Sequence, residues 1–460
     1  MGGHVSNAAL RDSISLALSN NQDVQISLLN VERARSLLGI ANAGALPTVD
    51  LSGGTTHAQG TTSSRSLSLN MAAYEIDLFG RVKNLKRRAL HDFLQSEEAS
   101  RSAQLLLQTE TAQAWIVLAA DLQLQRNGKR QLELLIQLYE KVLGRYRSGA
   151  AGELELRQAD SAAQQARLQM ATLDTQVQKS LNALELLVGS GLTTALLPTA
   201  DTRLDQLFAA DAEPPGSIPS ERLLARPDVL AAEQALQATY AGVGVARAER
   251  FPRLSITAAY STSATGGTPS TSLWNAASNI TLPMLDQGAG RNRVKAAQVD
   301  LQIATASYRR TIQVAVRETA DALADAAQAR SSMRTAAAVV ASTERQVEIE
   351  GNRYAVGKSR LSDLLQAQRQ LGVDLDAQTQ ANVKCASGGF SAGTGDYRTS
   401  LKTGWHVASH RTKAENQSPF PATRHVVRTD TERVANIGWL RHLDIIYLDI
   451  IYRQRLRQVL

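Results

Sequence analysis

The sequence predicts a mainly α-helical fold with a few β-strands, built as two copies of one unit. Prolines leave two long uninterrupted stretches, apolar residues recur along them at helical spacing, and the two halves of the chain align. Pro47 is followed by no proline until Pro198, and Pro283 by none until Pro419. Because proline interrupts helices and central strands, each stretch can hold very long helices.

The internal repeat defines the two units. Asp23-Val24 matches Asp228-Val229 and Leu46-Pro47 matches Phe251-Pro252, both at an offset of 205 residues. Further along, residues 145–149 match 353–357, and Gln158-Ala159 matches Gln366-Ala367, now at an offset of 208. The slip of three residues falls in the loop-rich part between these matches.

Each unit is predicted to run in the order helix, strand pair, long helical hairpin. The first repeat spans residues 22–200, with a strand pair at 48–76 and a helical hairpin at 82–189. The second spans residues 228–382, with a strand pair at 253–282 and a hairpin from 289 that we expect to be incomplete. Residues 1–21 are expected to be a helical N-terminal segment, and 201–227 a linker.

Alternation of apolar and polar residues marks the strands. Leu67, Leu69 and Met71 alternate with Ser and Asn, and Leu254 to Tyr260 repeat the pattern in the second unit. Four strands leave two unpaired edges, which favour pairing with other chains. The number of chains that would close such a sheet stays open at this point.

Three aromatic residues near the predicted strand ends are Tyr74, Tyr260 and Trp274. Membrane barrels combine weak alternation with aromatic residues at the membrane interface. A half-buried sheet in a soluble protein gives the same alternation. The long helices favour the membrane interpretation, because they have no compact domain to cover. Each main helix, near 82–145 and 289–352, would span roughly 90 Å.

The C-terminal tail, residues 383–460, differs from the rest of the chain. It contains 12 Lys+Arg and 6 Asp+Glu, which leaves 38 basic and 37 acidic residues before it, so the body is nearly neutral. Cys385 is the only cysteine, which excludes an intrachain disulfide. Gly388-Gly389 is costly in a long helix. We therefore hypothesise that the tail is frameshifted or otherwise aberrant.

Several other functions lack support in the sequence. The histidines are isolated, and no phosphate loop, serine nucleophile motif or zinc spacing occurs, so we expect no enzyme, cofactor or metal. Lys86-Arg87-Arg88 is a typical solvated helix face, and a nearly neutral body does not favour nucleic acid. A cytoplasmic or periplasmic coiled-coil scaffold is the main alternative, but it would have no use for two strand pairs.

Four segments, in order, resemble the outer-membrane factors of tripartite efflux systems, including their lipoprotein branch. They are residues 74–81 (YEIDLFGR), residues 225–229 (ARPDV) with 251–255 (FPRLS), residues 282–288 (LPMLDQG), and residues 353–369 from Arg353-Tyr354 to Gln368-Arg369. The lipoprotein branch carries an acylated N-terminal cysteine. The sequence starts at Met1-Gly2-Gly3 and shows neither such a cysteine nor a signal peptide, so it supplies no residue for lipid anchoring and leaves lipidation open.

The resemblance implies a homotrimer with a twelve-stranded β-barrel in the outer membrane, four strands from each protomer, continued by a periplasmic α-helical barrel. It implies a periplasmic adaptor, an inner-membrane transporter, most typically of the RND type, and contact with outer-membrane lipid. By position Asp363 corresponds to a tip aspartate, Gln366 to a position that is often acidic, and Glu155 to the repeat counterpart of Asp363. Ordinary helix-start carboxylates remain the alternative for Asp363 and Glu155.

Overall fold

The computed structural model describes residues 7–57, 62–204, 220–266, 268 and 270–394, which are mostly helical with one small sheet. In chain order the elements are α1 (Ala8–Asn20), α2 (Gln22–Ala43), β1 (Val49–Thr56), β2 (Ser64–Ile76), α3 (Arg81–Arg147), α4 (Glu153–Val188), a 3-10 turn (Thr194–Leu196), α5 (Ser220–Leu224), α6 (Pro227–Ala248), β3 (Arg253–Thr265), β4 (Thr271–Thr281), α7 (Ala289–Ala355) and α8 (Leu361–Thr394). Over these ranges we find no helix with both the length and the apolar composition needed to cross a membrane.

Local sequence signals fix where the helices begin. The side chain of Asn21 accepts hydrogen bonds from the backbone N–H groups of Asp23 and Val24, at 2.9 and 3.3 Å, and so caps α2. Gly80 and Gly288 precede α3 and α7 with φ angles of 78° and 87°, where glycine has no steric penalty. Each second strand can therefore turn directly into a helix of 67 residues. A helix of this length spans about 100 Å.

The four strands form one antiparallel sheet in the order β1-β2-β3-β4. The two predicted strand pairs join in the middle, because β2 pairs with β3. β1 and β4 are therefore the two edges, and all of their residues are exposed. In a single chain these edges carry backbone groups without strand partners, which leaves them available to another chain.

The three-residue slip in the repeat originates in the strand pairs. Val49 pairs with Met71, whereas the equivalent Leu254 pairs with Ile280. The chain between the paired residues is therefore four residues longer in the second strand pair. A bulge between Met71 and Tyr74 adds one residue to β2. Together the longer second pair and the bulge change the offset from 205 to 208.

The helices pack side by side. α2, α3, α6 and α7 are neighbours in that order, while α4 folds back along α3 and α8 along α7. The largest core surrounds Trp115, which is fully buried and donates a hydrogen bond from Nε1 to the backbone oxygen of Leu196 at 3.0 Å. A second cluster, which includes Leu361 and Leu365, joins the far ends of the two helical hairpins.

The predicted end of helical order near residue 382 is wrong. α8 continues to Thr394 and has 34 residues, against 36 in α4, so the second hairpin is not incomplete. The rest of the predicted tail, residues 395–460, lies outside the described residues, and its frameshifted origin stays a prediction.

Packing explains why α8 continues. Ala386 is buried in the core around Trp115, and Val383 packs against that core. A Cβ atom at Gly388 would lie 3.6 Å from Cα of Ala326 in α7, which is an ordinary van der Waals distance, so α8 packs closely on α7 at this point. These contacts outweigh an intrinsic cost of about 1 kcal/mol for each glycine in a helix.

Candidate functional site

One face of the sheet is apolar. The strand register aligns Leu51, Leu69, Tyr260 and Trp274 in one row that crosses all four strands. All four side chains are exposed, and Trp274 is 76% exposed. The adjacent row consists of Val49, Met71, Ala258 and Ala276. An exposed apolar face of this kind suits contact with lipid hydrocarbon.

The opposite face of the sheet is mainly polar. Its rows are Asp50, Asn70, Ala259 and Asn275, then Ser52, Ser68, Ser261 and Leu273. The hydroxyl oxygens of Ser52 and Ser68 lie 3.3 Å apart, and Asn70 donates to the Ser52 hydroxyl at 3.2 Å. If the sheet closes on itself, apolar side chains face outward and polar ones face a water-filled lumen.

The structure places the three predicted interface aromatics at two levels. Tyr260 and Trp274 are direct cross-strand partners. Tyr74 pairs with Ile256, four residues further toward the helices along β3. At strand spacing this separates the two levels by about 13 Å. The three side chains therefore do not form one ring, and their placement at the membrane interface stays a prediction.

The far ends of the two helical hairpins, which we call the tip, are joined by a polar contact as well as by the apolar cluster around Leu361. Arg145, at the end of α3, donates from Nη1 to the Tyr354 hydroxyl at 3.1 Å, and its guanidinium carbon lies 5.5 Å from the ring centroid. Arg145 also donates from Nη2 to the backbone oxygen of Ala150 at 3.3 Å. A single side chain thus joins the first tip turn to the end of α7.

Burial raises the pKa of Tyr354, the nearby Glu155 carboxylate raises it further, and Arg145 opposes both. Glu155 is half-buried, and its Oε2 atom has no hydrogen-bond partner among the described residues. Tyr354 therefore stays protonated at neutral pH and can accept the hydrogen bond from Arg145.

Asp363 and Gln366 are exposed in the first turns of α8. Asp363 accepts a hydrogen bond from the backbone N–H of Arg360 at 3.2 Å and another from the Ser362 hydroxyl at 3.1 Å. This is the geometry of a helix-start cap. Of the three predicted tip residues, Glu155 lies close enough to Tyr354 for its carboxylate to raise the tyrosine pKa. The hydrogen bonds that Asp363 accepts come from Arg360 and Ser362 in its own turn.

The roles of Arg145 and Tyr354 did not emerge from the sequence. The motif that contains them occurs in both repeats, as Arg145-Tyr146 and Arg353-Tyr354, and this repetition was the available signal. Pattern alone cannot show that the arginine of one copy contacts the tyrosine of the other. That contact depends on how the two hairpins pack.

A sheet with one apolar and one polar face, joined to helical hairpins of this length, defines a protomer of an outer-membrane channel. Residues 13–190 and 218–387 match the Outer membrane efflux protein family, and the chain belongs to this family. The predicted fold class, long helical hairpins and four strands in an internal repeat, is confirmed. The prediction of an efflux channel component is confirmed as well, and it displaces the coiled-coil scaffold alternative.

Individual relatives agree with this assignment. Outer membrane protein OprJ of Pseudomonas aeruginosa is 34% identical over 405 residues, which cover 82% of each chain. TtgC of Pseudomonas putida, named a probable efflux pump outer membrane protein, is 31% identical over 378 residues, 79% of this chain and 77% of TtgC. The crystal structure of the Campylobacter jejuni CmeC outer membrane channel matches with a TM-score of 0.78 at 26% identity, covering 84% of this chain and 86% of CmeC.

Proposed function

We propose that three copies of this chain form a passive exit duct for drugs or other small molecules across the outer membrane and much of the periplasm. The observation that carries the proposal is the four-stranded sheet with open edges at β1 and β4. Three copies would supply twelve strands and leave no edge unpaired. Its apolar face, with Tyr74, Tyr260 and Trp274, would contact outer-membrane lipid.

The helices supply the periplasmic part of the proposed duct. α3 and α7 have 67 residues each, and both extend from the same end of the sheet. At about 100 Å they reach far beyond one membrane. We expect the tip to dock a periplasmic adaptor and an inner-membrane transporter, and we propose the RND type for that transporter. The name of TtgC, a probable efflux pump outer membrane protein, supports a pump as the partner.

Complementation tests this function. The chain, preceded by a functional export signal, is expressed in a Gram-negative strain that lacks its own outer-membrane efflux component but retains the pump. We expect heat-sensitive trimers in the outer-membrane fraction and restored resistance to pump substrates. Recovery of the chain as a soluble cytoplasmic monomer would contradict the proposal.

Asp363, Gln366 and Glu155 are proposed to lie near the pore axis at the tip. Trimer symmetry would turn Asp363 into a ring of three carboxylates that attracts cations and repels anions. Gln366 adds no charge, so the ring would depend on Asp363 and the half-buried Glu155.

Two substitutions at Asp363 separate pore charge from helix capping. Asp363→Asn removes the charge but retains an oxygen that accepts the bond from Arg360, whereas Asp363→Ala removes both. If the carboxylate lines the pore, both variants lose cation selectivity in bilayer recordings, on the order of twofold or more. Unchanged selectivity in Asp363→Asn would leave Asp363 with its capping role alone.

A further inference from the structure

Helix contacts in the first repeat have counterparts in the second repeat at the same sequence offsets. The Ser27 hydroxyl of α2 lies 3.0 Å from that of Ser100 in α3. The residues at offsets of 205 and 208 are Ala232 of α6 and Tyr308 of α7, and they pack in one apolar cluster. The α2–α3 and α6–α7 contacts are therefore equivalent, and the offsets predict which residues meet.

A third contact has its equivalent outside the chain. α3 also packs along α6. The equivalent contact would join α7 to α2. These two helices lie at opposite ends of the order α2, α3, α6, α7, so α7 can meet in this way only the α2 of a second copy.

A glycine notch marks the α3–α6 contact. A Cβ atom at Gly244 would lie 2.6 Å from Cγ of Asn84, so only glycine fits beneath that side chain. The repeat counterparts are Gly39 in α2 and Asn292 in α7, the same two residue types. A Cβ atom at Gly39 would have no atom within 4 Å. Glycine weakens a helix, so its presence at Gly39 is explained if another chain fills the open notch.

A residue pair that is polar at the α3–α6 contact has apolar counterparts on α7 and α2. His91 Nδ1 lies 2.8 Å from Gln234 Oε1 across the α3–α6 contact. The counterparts are Val299 in α7, 44% exposed, and Leu29 in α2, 67% exposed. Ile303, one turn beyond Val299, is also exposed. Two apolar surfaces that lie uncovered in one chain therefore occupy the positions where the repeat predicts contact.

We infer that the surface formed by Leu29 and Gly39 of α2 binds the surface formed by Asn292, Val299 and Ile303 of α7 in a second copy. Asn292 enters the notch over Gly39, and Val299 packs on Leu29. This inference rests on the proposed assembly and specifies its subunit contact residue by residue.

The same repeat sets the strand register between subunits. Leu69 pairs with Tyr260 and Met71 with Ala258 inside the chain. In the strand pairs Met71 corresponds to Ile280, and Leu69 therefore corresponds to Ser278. The equivalent pairs between subunits join Ser278 of one copy to Thr55 of the second, and Ile280 to Gly53 of the second. Both pairs keep the apolar faces of the two strands on the same side of the sheet, as closure requires.

Cysteine pairs test this register in the full chain with Cys385→Ser as background. Thr55→Cys with Ser278→Cys is expected to form disulfide-linked oligomers on non-reducing gels. Within one chain the two positions lie three strand spacings apart, at least about 14 Å, and also eight residues apart along the strands, so they cannot bond intramolecularly. The control, Leu51→Cys with Ser278→Cys, is four residues out of register on the same face and is expected not to cross-link.

Two glycine variants test the helix contact. Gly39→Leu is expected to remove the heat-sensitive trimer while far-ultraviolet circular dichroism stays that of the parent, because the single chain has room for the side chain. Gly372→Leu in α8, where a Cβ atom also has open space, is expected to retain the trimer. Gly39→Ala alone is expected to lose trimer, because the added methyl group meets Asn292 of the second copy. The double variant Gly39→Ala with Asn292→Ala is expected to recover the trimer.

The outcomes separate the inference from the proposed function. A parent chain that forms no oligomer overturns both. Parent trimers with cross-linking of the Leu51 pair instead of the Thr55 pair, or a Gly39→Leu trimer as heat-stable as the parent, overturn the subunit contact and leave the channel assembly standing.

Discussion

Trp115 shows how one side chain ties several elements together. It is 0% exposed, and the Leu196 oxygen that accepts its Nε1–H also accepts the Ser13 hydroxyl at 3.2 Å. The helix α3, the helix α1 and the turn after α4 therefore meet at one carbonyl. The position of these elements relative to one another depends on a residue that carries no channel chemistry.

Replacing Trp115 should be costly. Trp115→Ala leaves a large cavity and is expected to destabilise the fold by about 3–5 kcal/mol. Trp115→Phe should cost less, because phenylalanine keeps much of the buried volume; Ser13 still donates to the Leu196 oxygen in both variants. Chemical denaturation in detergent, with tryptophan-independent circular dichroism as the signal, measures both. Equal stability of the alanine and phenylalanine variants would contradict the assigned packing role.

Tyr354 gives the tip a pH dependence. Its folded-state pKa is raised, so the stability it contributes is present below the ordinary tyrosine pKa and is lost as pH rises through the folded value. Tyr354→Phe removes the bond from Arg145 and should cost about 0.5 kcal/mol at pH 7, since the bond is exposed. The difference in melting temperature between parent and variant should shrink above about pH 10. A difference that is constant across this range would show that the hydroxyl is not coupled to the fold.

At the scale of elements, the sequence predicted what depends on local pattern. Alternation located the strands, and proline-free stretches with glycine turns located the long helices, within a few residues. The end of α8 could not be predicted, because Gly388 is unfavourable by propensity and only the packing of Val383 and Ala386 against the core shows that the helix continues. The position of Asp363 at a predicted helix start indicated a helix-start carboxylate as an alternative to a pore residue. The Arg145–Tyr354 contact could not be predicted, since it depends on the packing of two hairpins.

Two glycines within helices should respond in opposite directions to alanine. At Gly388 the added Cβ meets Ala326 at 3.6 Å, an ordinary contact, so Gly388→Ala is expected to be neutral or stabilising by up to about 1 kcal/mol. At Gly244 the Cβ would lie 2.6 Å from Asn84, so Gly244→Ala is expected to destabilise by about 1–3 kcal/mol. Thermal unfolding of both variants in detergent measures the contrast. Stabilisation by both would mean that propensity alone governs these sites.

For the whole molecule, α8 completes the second hairpin and returns to the core that the first hairpin built. Val383 and Ala386 close that core from the side of α8. The family match ends at residue 387, also beyond the boundary that composition suggested. The two hairpins therefore share one core, and residues just after 382 belong to it.

Two truncations test where the folded unit ends. A chain that stops after Thr394 keeps every described contact of α8 and should form heat-sensitive trimers and support efflux as the full chain does. A chain that stops after Asn382 loses the burial of Val383 and Ala386, worth about 2 kcal/mol or more, and should assemble poorly. Trimer yield in the outer-membrane fraction and susceptibility to pump substrates compare the two. Equal yields would place the end of the required structure at residue 382, whereas failure of both would show that residues 395–460 contribute to assembly.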